Sequence, residues 1–161
     1  MTMTSTQKYA ESAAKGAAGE RQRAMGLLAK ASRVELQDAW DAIGDKPALQ
    51  PVRGPETGLV MVRGRIGGGG APFNLGEATV TRASIRLEDG TVGHGQSLGT
   101  DPVKARLAAT FDALFQQTAR KADVETLLDA IAARIADEDA EKARQTAATR
   151  VDFFTMVRGE D

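Results

Sequence analysis

The sequence contains no cysteine, and His94 is its one histidine. A chain without thiolates forms no disulfides and cannot ligate an iron–sulfur cluster in the usual way. A chain with a single histidine cannot build the common multi-histidine zinc sites. We therefore expect this chain to hold no metal and no cofactor, so that any metal or radical chemistry in which it takes part is carried by another chain.

Excess charge and long apolar runs are also missing. The net charge of −1 gives no electrostatic basis for binding DNA, RNA or an acidic membrane surface. No apolar run is long enough to span a bilayer, and the N-terminus lacks the apolar core of a signal peptide. We expect a cytoplasmic protein that binds neither nucleic acid nor membrane. Its 161 residues, of which 42% are hydrophobic, predict one globular domain.

Helical patterns flank a central stretch of strands. Residues 1–19 are polar or small without apolar periodicity, which predicts a disordered leader before a domain that spans residues 20–161. Ser32 is expected to cap the second helix, and Asp101 followed by Pro102 to start the third. Apolar residues at helical spacing predict helices from residue 20, at 33–43, at 102–117 and at 123–136, with an exposed helix at 137–148.

The central stretch, residues 53–98, carries the strand signal. A strand is predicted at 58–66 and another at 79–88, where apolar and polar residues alternate. Asp89-Gly90 is a favoured two-residue hairpin turn. That turn would place Ile85 opposite His94 on an apolar face, and glycines 93 and 95 on an open face that a ligand could approach. The predicted fold class is α+β, an antiparallel sheet with helices packed mainly on one face.

Arginines on the predicted outer face of these strands form the first candidate site. If the outer faces coincide, a guanidinium cluster lies beside the glycine loop at 67–70, because arginine forks and exposed loop N–H groups suit phosphate and carboxylate oxygens. The alternative is a solvated face on which the arginines are balanced by neighbouring glutamates. The arginines are Arg63, Arg65, Arg82 and Arg86, with Arg53 nearby, and the glutamates are Glu56, Glu77 and Glu88.

His94 and the C-terminal segment each allow two interpretations. His94 can act as a general base, as in a hydrolase, or it can be a structural histidine beside Ile85, which the predicted register favours. Residues 149–161 are apolar enough to form a docking tail, either as a last strand on this domain or on another subunit. The partner-binding candidates in this tail are Arg150, Asp152, Phe153, Phe154, Met156 and Arg158.

Two long strings, PETGLVMVRGRIGGGGAPFNLGEATVTRA from Pro55 and TRVDFFTMVRGE from Thr149, resemble the G subunit of the carbon–phosphorus lyase system. Bacteria use that system to obtain phosphorus from phosphonates. The resemblance covers residues 20–160. It implies a required subunit of a core complex with the H, I and J subunits, with the I subunit as the closest contact and the L protein as a functional partner.

The resemblance also implies an activity for the complex. Methylphosphonate displaces adenine from ATP to give α-D-ribose 1-methylphosphonate 5-triphosphate, so ATP is a substrate of the complex. The I subunit is expected to carry the nucleosidase activity. The J subunit is expected to cleave the C–P bond with S-adenosylmethionine and an iron–sulfur cluster. The chain itself is then a subunit of a transferase, the α-D-ribose 1-methylphosphonate 5-triphosphate synthase, that is not catalytic alone.

The family offers no settled catalytic residue, so the catalytic residues stay unknown. The candidates for substrate or phosphate contacts are Arg53, Glu56, Arg63, Arg65, Thr81 and Arg82. The chain departs from the family at Gln96, where an aromatic residue is usual, and at Thr100, where an arginine is usual, so no role is carried over for either. The alternative function is a free-standing binding module for a small phosphorylated ligand.

Overall fold

The computed structural model describes residues 5–149, with side chains from Gly16 onward. Its three strands form one antiparallel sheet in the order β1-β2-β3. No helix in this part of the chain is both long and apolar enough to cross a membrane. Along the chain the elements are α1 (Ser5–Lys30), α2 (Arg33–Ala42), β1 (Leu49–Arg65), a 3-10 turn (Ile66–Gly68), β2 (Pro72–Leu87), β3 (Val92–Leu98), α3 (Pro102–Phe115) and α4 (Thr118–Ala148).

The core lies between the inner face of the sheet and α3, and the other helices close it around α3. This arrangement confirms an α+β fold with helices mainly on one face of an antiparallel sheet. The four helices and β2 contribute apolar side chains to a single buried cluster. Its larger members are Leu28 of α1, Leu36 of α2, Ile85 and Leu87 of β2, Leu107, Phe111 and Leu114 of α3, and Val124, Leu128 and Ile131 of α4.

The predicted helix starts are confirmed at α2 and α3. Ser32 Oγ accepts a hydrogen bond from the backbone N of Glu35 at 3.1 Å, and the Glu35 carboxylate accepts one from the Ser32 backbone N at 2.6 Å. Asp101 accepts a hydrogen bond from the backbone N of Lys104 at 2.9 Å, with Pro102 at the first helical position. These side chains satisfy backbone donors that have no partner inside the helix.

Two helices are longer than predicted. Helix α1 begins at Ser5, so residues 5–19 of the predicted leader are helical. Five alanines in that stretch favour helix even though no apolar stripe marks it, since alanine has the highest helix propensity. Residues 118–148 form the continuous helix α4 instead of two segments.

The predicted register of the β2–β3 hairpin is wrong by one residue. Leu87 N donates to Thr91 O and Gly90 N donates to Leu87 O, so the loop has three residues, 88–90, with Gly90 at φ +87°. A type I turn followed by a left-handed glycine gives such a loop, whereas the prediction assumed two residues. Ser84 therefore lies opposite His94, and Ile85 lies opposite Gly93.

The register shift also reverses the role assigned to the glycines of β3. Gly93 and Gly95 lie on the inner face, where α3 crosses them. A Cβ atom at Gly93 would lie 2.0 Å from Ala109 O, and one at Gly95 would lie 2.2 Å from Ala105 O. These glycines are required for close packing of α3 and do not form an open ligand face.

Glu35 links the α2 cap to α4, which gives a prediction about acid stability. Burial alone would raise the pKa of Glu35, but hydrogen bonds from Arg134 and Ser32 outweigh it and leave this pKa below its ordinary value. A lowered folded-state pKa stabilises the fold above the ordinary carboxyl pKa, and that stability is lost as the pH falls through the folded-state value. We expect Glu35→Gln to lower the free energy of unfolding by about 1 kcal/mol at pH 7, because glutamine can keep the capping hydrogen bond but not the charge that pairs with Arg134.

Urea unfolding at pH 7 and at pH 3 checks this prediction. The difference between wild type and Glu35→Gln should be smaller at pH 3, below the ordinary carboxyl pKa, because part of the stability that the lowered pKa provides is lost there. Glu138→Gln is the matched control, because Glu138 also pairs with Arg134, at 2.8 Å, but is more exposed and caps no helix. An equal loss in both variants at pH 7 would show that the charge of Glu35 contributes no more to stability than that of the more exposed Glu138.

Candidate functional site

Strands β1 and β2 extend beyond the rest of the sheet as a two-stranded ribbon, here called the β-arm (residues 57–80). Strand β3 ends at Leu98, which pairs with Val80, whereas β1 and β2 stay paired as far as Arg65 and Pro72. At about 3.3 Å per residue the arm projects by roughly 26 Å. The 3-10 turn and the predicted glycine loop form its tip.

A groove lies at the base of the β-arm, where the outer face of the sheet meets α1. A cavity of about 460 Å³ on the sheet side adjoins one of about 600 Å³ beside α1, and both are lined by Met25, His94, Gly95 and Gln96. We call the two together the base groove. Its charged and polar lining comes from β1, β2, β3 and α1. These further residues are Arg53, Arg82, Ser84, Arg21 and Gln22.

Two arginines border the base groove and share one carboxylate. Arg53 Nε lies 3.6 Å from one Glu56 oxygen, and Arg82 Nη2 lies 3.6 Å from the other. Both guanidinium groups are more than half exposed. A single carboxylate at this distance leaves most of their N–H donors free for phosphate or carboxylate oxygens of a ligand.

His94 and Ser84 add an imidazole ring and a hydroxyl group to the same groove. It is exposed on the outer face, and its Nδ1 lies 2.9 Å from Ser84 Oγ. The interpretation of His94 as a half-buried residue beside Ile85 is therefore wrong, because the one-residue register shift turns it outward. Imidazole and hydroxyl groups can both hydrogen-bond to phosphate oxygens, so the pair extends the polar lining beside Arg82.

A buried ion pair beneath the groove fixes the strand that carries His94. Asp112 of α3 is fully buried, and its two carboxylate oxygens accept hydrogen bonds from Arg21 at 2.9 and 2.7 Å. The backbone N of His94 donates to the same carboxylate at 2.8 Å. The hydrogen bond to Asp112 raises the pKa of Arg21, against the opposing effect of partial burial. The pair thereby joins α1, α3 and β3 at one point.

The structure separates the predicted arginine cluster into three parts. Arg53 and Arg82 meet at Glu56, as described. Arg63 and Arg65 pair with residues 74 and 72, so they lie about 26 Å and about 33 Å along the ribbon from Arg82. Arg65 donates to Gly70 O at 2.9 Å. Arg86 lies at the opposite end of β2, facing Gln50. The four guanidinium groups therefore do not form one cluster beside the glycine loop.

Thr81 and the tail candidates fall outside the groove for different reasons. Thr81 faces inward and is fully buried, with its Oγ1 2.9 Å from Thr57 Oγ1 and 2.7 Å from Gly99 O. It joins the strands at the root of the arm and reaches no exposed surface. The tail residues 150–161, and with them Arg150, Asp152, Phe153, Phe154, Met156 and Arg158, lie outside the described residues.

The fold and the groove define the chain as an α+β protein whose small sheet carries a projecting β-ribbon and an arginine-bordered groove. Residues 19–159 match the model of the family described as phosphonate metabolism protein PhnG. Because the match spans most of the chain, the chain belongs to this family.

A relative from Rhizobium meliloti (strain 1021) is 68% identical over 142 residues, which cover 88% of this chain and 91% of the relative. That protein is named alpha-D-ribose 1-methylphosphonate 5-triphosphate synthase subunit PhnG. The resemblance to the G subunit of the carbon–phosphorus lyase system is thereby confirmed.

Proposed function

We propose that this chain is the G subunit of an α-D-ribose 1-methylphosphonate 5-triphosphate synthase. The observation that carries the proposal is the 68% identity to a protein of that name over 91% of the relative's length. Identity at that level over nearly the whole chain supports a shared fold and a shared role. The chain works in phosphonate metabolism, at the step in which methylphosphonate displaces adenine from ATP.

The partners belong to the proposal as well. The family resemblance supports a core complex with the H, I and J subunits, closest to the I subunit, and functional dependence on the L protein. Within this complex the chain shapes or completes a site on a partner, and the base groove contributes phosphate contacts through Arg53, Arg82 and His94. The exposure of these three side chains on one face of the sheet supports that role.

Reconstitution tests the proposed function. Purified H, I and L proteins are incubated with ATP and methylphosphonate, with or without this chain, and adenine release is measured by chromatography. We expect methylphosphonate-dependent adenine release only when the chain is present. The same rate without it would refute the proposed function.

Substitution of the groove arginines tests the phosphate contacts. We expect Arg53→Ala with Arg82→Ala to raise the KM for ATP or for methylphosphonate roughly tenfold or more in the reconstituted synthase, since a hydrogen bond to a charged group contributes about 1.5–3 kcal/mol. Arg86→Ala is the control, because Arg86 is also exposed on the outer face of β2 but lies away from the groove. Equal KM values for the double variant and the control would show that the base groove does not contact the substrates.

The free-standing binding module is the second candidate, and the exposed pair Arg53 and Arg82 beside a cavity favours it. It predicts that ATP or methylphosphonate raises the thermal unfolding temperature of the isolated chain, and that the Arg53→Ala, Arg82→Ala variant loses the increase. No increase with either ligand would rule this candidate out.

A further inference from the structure

The β-arm exposes large apolar side chains on both of its faces. Leu59 and Met61 follow Thr57 on the inner face, and they are 63% and 52% exposed. Val60 and Val62 lie on the outer face, and they are 46% and 40% exposed. Toward the tip, Ile66, Phe73 and Leu75 are also exposed. Contiguous apolar surface of this kind marks interaction sites in soluble proteins.

The backbone of the arm is also only half paired. Beyond Leu98 the ribbon has two strands, so each strand has one edge with no neighbour in the described part of the chain. An isolated two-stranded ribbon is marginally stable in water, and a long apolar edge strand promotes aggregation. A natural protein with such an arm needs a surface that covers it.

We propose that the β-arm inserts into an apolar cleft of a different subunit of the synthase, with carboxylates of that subunit meeting Arg63 and Arg65 near the tip. The inference rests on the proposed function, which supplies the other subunits. An ordinary stable interface uses about 20–30 residues from each partner, and residues 57–80 of the arm fall in that range by themselves. The arm is then the main docking element of the chain.

A cleft fits the arm better than a second copy does. Two copies paired edge to edge would satisfy backbone groups but leave Leu59 and Met61 on one face and Val60 and Val62 on the other in water. Contact with a flat surface would cover one face and leave the second exposed. Only an occupant that surrounds the ribbon removes both apolar faces from water.

The charges near the tip indicate what the far end of the cleft contains. The carboxylate of Glu56 lies just below the arm and pairs with Arg53 and Arg82, which also lie outside the arm. Arg63 and Arg65 have no carboxylate within salt-bridge distance among the described residues. Once the partner buries these two arginines, their guanidinium groups require carboxylates, so the covering subunit presents acidic groups there.

Two double variants, one for each face, test the proposal. Affinity is measured between the purified chain and the purified complex of the remaining core subunits. We expect Leu59→Glu with Met61→Glu, and separately Val60→Glu with Val62→Glu, to weaken binding about 30-fold or more, as for central residues of an interface. Val34→Glu is the control, because Val34 is 66% exposed on α2, away from the arm, and should bind like wild type. Unchanged circular dichroism shows that each variant is folded.

Each outcome is decisive. If wild type fails to bind, the proposed function fails, whereas binding by both arm variants at wild-type strength overturns only the arm inference. If only one of the two double variants weakens binding, the arm docks on a flat surface through that face, and the cleft is refuted. In hydrogen exchange, the amides of residues 57–65 and 72–80 that lie on the unpaired edges of the ribbon should be slowed when the complex forms. If these edge amides are already slowed in the isolated chain, the proposal is refuted. A dimer in light scattering would then assign the arm to a second copy, whereas loss of the slowing on removal of residues 150–161 would assign it to the tail.

Discussion

Gly93→Ala is expected to destabilise the fold by about 3 kcal/mol, the upper part of the range for overpacking a core. The added Cβ would lie 2.0 Å from Ala109 O, 2.6 Å from Ala113 N and 2.8 Å from Ala113 Cβ. Two of these atoms belong to the backbone of α3, so no side chain can turn away to make room. Either α3 or β3 must therefore shift. Because α3 contacts all three strands and the three other helices, a shift of α3 disturbs the whole core.

Thermal unfolding measures this effect. A loss of about 3 kcal/mol should lower the Tm by roughly 6–12 °C in a chain of this size. Gly58→Ala is the matched control: Gly58 also lies in a strand, and a Cβ there has no atom within 4 Å. If both variants unfold at the wild-type temperature, α3 does not lie as close to β3 as described.

The helices could be predicted because local chemistry determines where they begin. Ser32 with Glu35, and Asp101 with Pro102, satisfy the first backbone donors of α2 and α3 from within four residues. The register of the hairpin depends on whether its loop has two or three residues, and Asp89-Gly90 is compatible with both. One residue of difference exchanged the faces of His94 and Gly93.

The site was only partly predictable for a related reason. Alternation along a strand indicates which face an arginine occupies but not how far along the sheet it lies. The first strand was predicted to begin at residue 58, whereas β1 begins at Leu49 and continues through an irregularity between Arg53 and Glu56. The strands are therefore much longer than predicted, and Arg63 is carried far from Arg82. His94 and Ser84 were missed as groove residues because their pairing required the correct register.

The ion pair between Arg21 and Asp112 is expected to be the most consequential polar contact of the described residues. Asp112→Ala should lower the free energy of unfolding by about 3 kcal/mol at pH 7, because loss of one partner of a buried pair costs about 3–5 kcal/mol. We take the lower end because the Arg21 side chain is 33% exposed and can turn toward water. The backbone N–H of His94 also loses its acceptor, which costs part of that amount.

A double-mutant cycle separates this contact from the loss of side-chain packing. If the pair acts as a unit, Asp112→Ala combined with Arg21→Ala should cost well below the sum of the two single changes, with a coupling of about 1–3 kcal/mol in urea unfolding. The pair Arg23 and Asp129 supplies the control, since it also joins α1 to another helix, at 3.4 Å, with both side chains more than half exposed. Asp129→Ala should change stability by less than about 0.5 kcal/mol. Additive effects for Arg21 and Asp112 would show that their attraction contributes nothing, and β3 would then be held by its pairing with β2 and its packing against α3.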